Sequence, residues 1–251
     1  DLHLSLRRQR QMCIRDRIVN LGSSKEDYND LSNNIENIIS SKLKANNNEK
    51  IQYKFELKKE NEALVTSSKV QYVAKGYNFS EFGFKYSGKL QVLRTISNYD
   101  YLWNNVRVKG GAYGVFINFR RNGNMNITSY RDPNLSETIE VYDNFYKYIE
   151  NFSADEREMT KYILGTISNL DTPLTNSMIC DRQAVLYISN IDDDFLQRER
   201  EEILKTKVED IREFATLIDK CMKENYICVL GGKDKINQNS NIFGSVVNVF
   251  N

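Results

Sequence analysis

The sequence holds one histidine, His3, among 251 residues. A zinc site that draws two histidines from one chain, H-x-x-E-H among them, is therefore excluded. No apolar run approaches the roughly 18 residues that a membrane-spanning helix needs, so no such helix is expected. A strong field of either sign is also missing, because 35 basic residues stand against 34 acidic ones and leave a formal charge of +1. Nothing in that balance steers the chain towards nucleic acid or anionic lipid. Cysteine is scarce, with four residues at Cys13, Cys180, Cys221 and Cys228. Their spacing fits neither a C-x-x-C metal knuckle nor a paired disulfide framework, so buried free thiols are expected. What remains is 40% hydrophobic and 27% charged, with a mean hydropathy of -0.57. That composition belongs to an ordinary globular protein, long enough for one large domain or one domain and part of a second.

The first residue is Asp1 rather than methionine, and residues 1–17 carry five arginines against two aspartates. This stretch differs in composition from the rest. An amphipathic targeting peptide would be poor in acids and begin at a start codon, so a non-native tail with coding sequence missing upstream is the expectation. His3 and Cys13 fall inside it. With the native start missing, a cytoplasmic bacterial location is expected and an exported form stays open.

Residues 24–45 place Leu31, Ile35, Ile38 and Ile39 on one face behind a Ser23-x-x-Glu26 capping box, which predicts an amphipathic helix. Residues 51–57 alternate like a strand, a polar link follows, and residues 70–79 read as a longer strand. Residues 86–106 read as helix with a break near Asn98, with Leu90, Leu93, Ile96, Leu102 and Trp103 facing a core. Residues 112–119 put Tyr113, Val115, Ile117 and Phe119 on one side, and residues 124–130 alternate again. Asn122-Gly123 between them tolerates positive backbone dihedrals and predicts an antiparallel hairpin. Helices are expected at 135–151, 154–169, 173–189 and 193–224, the last with a break near Lys207. Their start signals are the Ser153-x-x-Glu156 box, Thr172-Pro173, and Asp192 to Asp194. An apolar strand at 225–232 and an apolar ending complete an α+β pattern. The division expected is a tail at 1–17, the end of a preceding domain or a linking segment at 18–68, and a C-terminal domain at 69–251.

Residues 107–119, RVKGGAYGVFINF, concentrate the specificity. Gly110-Gly111-x-x-Gly114 opens a strand, not a helix, and lacks a lysine-hydroxyl pair, which argues against a phosphate loop. Lys109-Gly110, Ala112, Tyr113 and Phe116 meet part of an RNA-recognition pattern, but Gly111 and Gly114 break it and no companion strand precedes it. The blander reading is that the glycines turn the chain, Tyr113 packs, and Arg107 pairs with a surface acid. For Arg120, Arg121 and Arg131, contact with a ligand is weighed against exposed charge at a sheet edge.

YDYLWNNVRVKGGAYG at 99–114, followed by SYRDPNLSET at 129–138, closely resembles the C-terminal half of the presequence-protease subfamily of pitrilysin/insulinase-type zinc metallopeptidases. The resemblance implies a mixed or antiparallel sheet with helices on one face. It implies a protein of two similar halves around a chamber, in which the N-terminal half holds the zinc and this chain holds no metal ligand. It assigns Arg107 and Tyr113 to the substrate carbonyl and transition state, and Gly110, Gly111, Ala112 and Gly114 to substrate binding. The partners implied are a peptide substrate and the N-terminal half, with no nucleic acid and no membrane. The alternative within the same fold is a non-catalytic structural or assembly protein.

Overall fold

Residues 20–42 and 59–249 are described in the computed structural model. In chain order the elements are α1 (Tyr28–Lys42), β1 (Glu62–Thr66), β2 (Tyr72–Asn78), α2 (Lys89–Tyr99), a π-helical turn (Trp103–Lys109), β3 (Gly114–Phe119) and β4 (Asn124–Tyr130). Then come α3 (Ser136–Asp143), α4 (Phe145–Glu150), α5 (Glu156–Leu170), α6 (Asn176–Ile188), α7 (Asp193–Leu204), α8 (Val208–Glu213) and α9 (Ala215–Lys223). Last are β5 (Ile227–Gly232), α10 (Lys233–Gln238) and β6 (Ser245–Asn248). Two compact units divide these elements, one with α1 and α6, the other with the sheet and the remaining helices.

Period-two alternation decides the sheet. Val73, Val115, Ile117, Phe119, Met125, Ile127, Ile227 and Val229 are buried, whereas Phe116, Tyr130 and Cys228 are exposed. The buried apolar side chains line one face, and the helices lie against that face. The strand order is β3-β4-β2-β5-β1-β6. β3, β4, β2 and β5 pair antiparallel, while β1 runs parallel to both β5 and β6. This is the α+β fold with a mixed sheet that the sequence leads one to expect. The hairpin forms as anticipated: Gly123 N–H donates to the Arg120 carbonyl at 3.0 Å, and Gly123 takes φ +88°.

Helical stripes complete the core. Leu90, Leu93 and Ile96 of α2, Tyr142 of α3, and Ile218, Cys221 and Met222 of α9 are all fully or almost fully buried, each large aliphatic side chain contributing about 1.5–3 kcal/mol by leaving water. A charge also enters this layer. Lys75 of β2 is 2% exposed, and its ammonium donates to Asp143 Oδ1 at 2.5 Å and Asn225 Oδ1 at 2.9 Å. Without those partners an ammonium on the apolar face would be strongly unfavourable.

Several local expectations need correction. β1 occupies the stretch read as a polar link, and the strand expected at 51–57 lies outside the described residues. In α1 no residue is buried, and Leu31, Ile38 and Ile39 are exposed; its Ser24 hydroxyl, not that of Ser23, accepts the Asp27 N–H, at 3.2 Å. The capping box of α5 is Asp155 with Glu158, two residues beyond the Ser153 frame. α6 is capped by Thr175 rather than Thr172. Cys180 is half-buried, and Cys228 is exposed because it shares the open sheet face with Phe116 and Thr128; among the described residues only Cys221 is a buried thiol.

Burial sets an alkaline limit. It pushes the Cys221 thiol up to about 12 and holds the phenols of Tyr86, Tyr142 and Tyr148 above the usual phenol range. In the unfolded chain these groups ionise from about pH 8.5 to 10, so above that range the unfolded state has released protons that the native state still holds, and stability falls as pH rises. Urea midpoints followed by far-UV circular dichroism are expected to stay level up to about pH 8 and to decline above about pH 9. Cys221→Ala is expected to lose the earliest part of that decline.

Candidate functional site

The chain leaves α2 at Asp100 and enters a wide turn. Leu102 and Val106 point into the core, and the extra residue per turn of the π form carries Trp103 and Arg107 outward together. Trp103 is therefore 38% exposed, not in the core face expected for it. The turn closes through Gly110 and Gly111. Gly110 N–H donates to the Asn105 carbonyl at 3.1 Å, Gly111 N–H to Arg107 at 2.9 Å, and Ala112 N–H to Val106 at 3.1 Å. This is the glycine helix cap widened by one residue to match a π turn. Gly111 sits at φ +81°, and a Cβ on Gly110 would lie 2.5 Å from the Val106 carbonyl oxygen.

The motif at 129–138 supports this closure. Asn134 Nδ2 donates to the Gly110 carbonyl at 2.6 Å. Asn134 is set by Asp132, whose Oδ1 accepts the Asn134 N–H at 2.9 Å and whose Oδ2 accepts the Thr138 hydroxyl at 2.7 Å. Asp132 is fully buried, and burial raises its carboxyl above the ordinary aspartate value. Its backbone pairs in both directions with Gln71 at 2.7 and 2.8 Å.

Arg107 and Tyr113 come together. The guanidinium carbon of Arg107 is 4.0 Å from the centre of the Trp103 ring and 5.9 Å from that of Tyr113, within the range of cation–π attraction. Tyr113 is 65% exposed, in contrast to the inward side expected for it beside Val115. Its N–H donates to the Tyr130 carbonyl at 3.1 Å, and its ring meets the edge of Tyr130 at 5.6 Å. Tyr130 in turn packs edge-on against Tyr72 at 5.3 Å. Of the four other site positions, Gly110 is half-buried and Gly111 exposed, while Ala112 and Gly114 are buried. A Cβ on Gly114 would lie 3.3 Å from the Phe116 ring.

Tyr130, Asp132 and Asn134 are members of this constellation that pattern reading leaves unassigned, and Trp103 joins them in place of the core position expected for it. The D-P-N run signals an aspartate-capped turn, but nothing local connects it to Gly110. Arg121 resolves differently from its neighbours. It forms an ion pair with the buried Glu199 at 2.6 Å, which also accepts the Tyr86 hydroxyl, whereas Arg120 and Arg131 are exposed. Among the described residues no three His, Cys, Asp or Glu side chains gather in a way that could hold a metal ion. Those residues do not fit a catalytic zinc. No described helix is long and apolar enough to cross a membrane.

A family model described as the PreP C-terminal domain matches residues 61–232, and the chain belongs to that family. It is 50% identical over 245 residues to Protein HypA of Clostridium perfringens, covering 94% of this chain and 25% of that protein. It is 33% identical over 188 residues to the chloroplastic/mitochondrial Presequence protease 1 of Arabidopsis thaliana, covering 73% of this chain and 17% of that one. The chain thus spans a quarter or less of the length of these curated relatives. Among solved structures, the peptidase M16 inactive domain from Pseudomonas fluorescens superposes with a TM-score of 0.56 at 17% identity, covering 82% of this chain and 51% of that one. That likeness is one of fold.

The two glycines are expected to differ sharply from an ordinary helical one. Gly111→Ala should cost about 1–2 kcal/mol, since only glycine adopts the left-handed conformation without strain. Gly165→Ala in α5, where a Cβ has only an ordinary contact at 3.8 Å, should be neutral or stabilising by up to about 1 kcal/mol. Urea denaturation of both variants against the parent chain measures the contrast.

Proposed function

We propose that this chain is the C-terminal, substrate-binding part of a zinc metalloendopeptidase that degrades oligopeptides, with the zinc site on the N-terminal half of the same protein. The carrying observation is the pairing of Arg107 with Tyr113 on one accessible surface. Among the described residues neither side chain makes a hydrogen bond or an ion pair, so both keep their donors free for a ligand.

Hydrolysis of a peptide bond moves negative charge onto the carbonyl oxygen as its carbon becomes tetrahedral. A phenol and a guanidinium aimed at that oxygen stabilise it, and loss of one such donor typically costs about 2.7–4 kcal/mol of barrier. Arginine adds a planar fork that reaches backbone carbonyls of an extended peptide. Gly111, exposed and without a side chain, lets that peptide come close to the loop. Family membership supports the reading, since the matching family model is the PreP C-terminal domain and a relative 33% identical is named a presequence protease.

In the complete enzyme, Arg107→Ala or Tyr113→Phe is expected to lower turnover ten-fold or more with the thermal midpoint unchanged; near-normal turnover in both variants would remove the assignment. The isolated chain is expected to retain no stoichiometric zinc after dialysis and to show no chelator-sensitive peptidase activity. Metal analysis and a quenched-peptide assay test both points.

A further inference from the structure

Arg107 is half-buried, and its guanidinium carbon lies against the Trp103 ring. No acidic side chain among the described residues pairs with it. A ring this close keeps water from one side of the guanidinium and leaves its outer N–H edge as the route by which a ligand can engage the charge. That edge is a fork of donors whose geometry matches a carboxylate, two oxygens to two N–H groups, better than a single carbonyl oxygen.

Peptide hydrolysis makes such a group at this point. Water adds across the C–N bond, its hydroxyl going to the carbonyl carbon and its proton to the leaving nitrogen. The carboxyl formed has a pKa of about 3.3–3.7 and is ionised at neutral pH. Donors that face the scissile carbonyl before cleavage therefore face a full negative charge after it. We infer that Trp103, Arg107 and Tyr113 form a clamp for the new C-terminal carboxylate of the N-terminal cleavage product. This rests on the proposed proteolytic reading and adds to it a ligand class, peptide acids, that binds the site and slows product release.

The chain supplies its own probe, because Trp103 is its one tryptophan and touches the clamp. Three N-acetylated alanine peptides of equal length are titrated into the full 251-residue chain while Trp103 fluorescence is followed. One ends in a free carboxylate, one in a carboxamide, and one in a carboxamide with an interior glutamate. The expected result is that the free acid binds at least ten-fold more tightly than either carboxamide, and that Arg107→Gln abolishes the difference with far-UV circular dichroism unchanged. Equal affinity for acid and carboxamide, a glutamate peptide that matches the acid, no response to the acid up to millimolar concentration, or an acid preference that survives Arg107→Gln would each overturn the clamp. Should Arg107→Gln fail to fold, the comparison on the unaltered chain decides by itself. The outcome separates from the test of the proteolytic reading: lost turnover in Arg107→Ala without any acid preference overturns the clamp and leaves the carbonyl contact standing.

Discussion

The closure of the wide turn at Trp103–Lys109 is the constraint on which the surface of this domain depends. A π turn exposes its last carbonyls unless the chain reverses sharply after it. Here the reversal uses the left-handed dihedral of Gly111 and the bare Cα of Gly110, which lies too near the Val106 carbonyl for any side chain. Asn134 then binds the Gly110 carbonyl from across the loop. These contacts aim Arg107 and Trp103 outward while Leu102 and Val106 stay packed, and they deliver Tyr113 to the head of β3. A side chain on either glycine acts on Arg107 and Tyr113 through the backbone, without touching them.

Asp132 gives the second motif its meaning. A buried carboxylate without a cation is costly, yet this one accepts a backbone N–H and a hydroxyl, and the Asp132 backbone forms a β-bridge with Gln71. It fixes the path of residues 131–138 and so places Asn134. The two motifs, joined by a hydrogen bond between residues 24 apart in sequence, are a loop and its buttress. Glu199 plays a comparable part at the far end of the hairpin, where it takes donors from Tyr86 and Arg121 and ties the β3–β4 turn to α7.

Sequence reading succeeded where a single local rule dominates. Asn122-Gly123 yielded the hairpin, and the break expected near Lys207 separates α7 from α8, although the stripe from Ile211 to Met222 was read as one helix and is interrupted at Phe214. It failed where two local rules compete or where the deciding contact is distant. Ser153-x-x-Glu156 and Asp155-x-x-Glu158 are overlapping capping frames, and only the packed structure selects the second. EALVT of β1 is too short and too closely flanked by polar residues to stand out, and its strand character comes from β5 and β6 on either side. Trp103 followed the helical phase on paper, but a widened turn shifts that phase. The motif that contains Arg107 and Tyr113 stood out through family likeness; the ring behind Arg107 and the amide behind Gly110 did not, since no spacing rule encodes them.

Lys75 carries an implication for how the sheet assembles. Its strand lies between β4 and β5, and its ammonium is satisfied only when Asp143 from the end of α3 and Asn225 from the approach to β5 are both in place. Helices that docked on the sheet without Asp143 and Asn225 in place would bury a bare ammonium in an apolar layer, at a cost of several kcal/mol. Intermediates of that kind are disfavoured, so this one side chain couples strand pairing to helix docking and makes the two layers form and melt as a single cooperative unit.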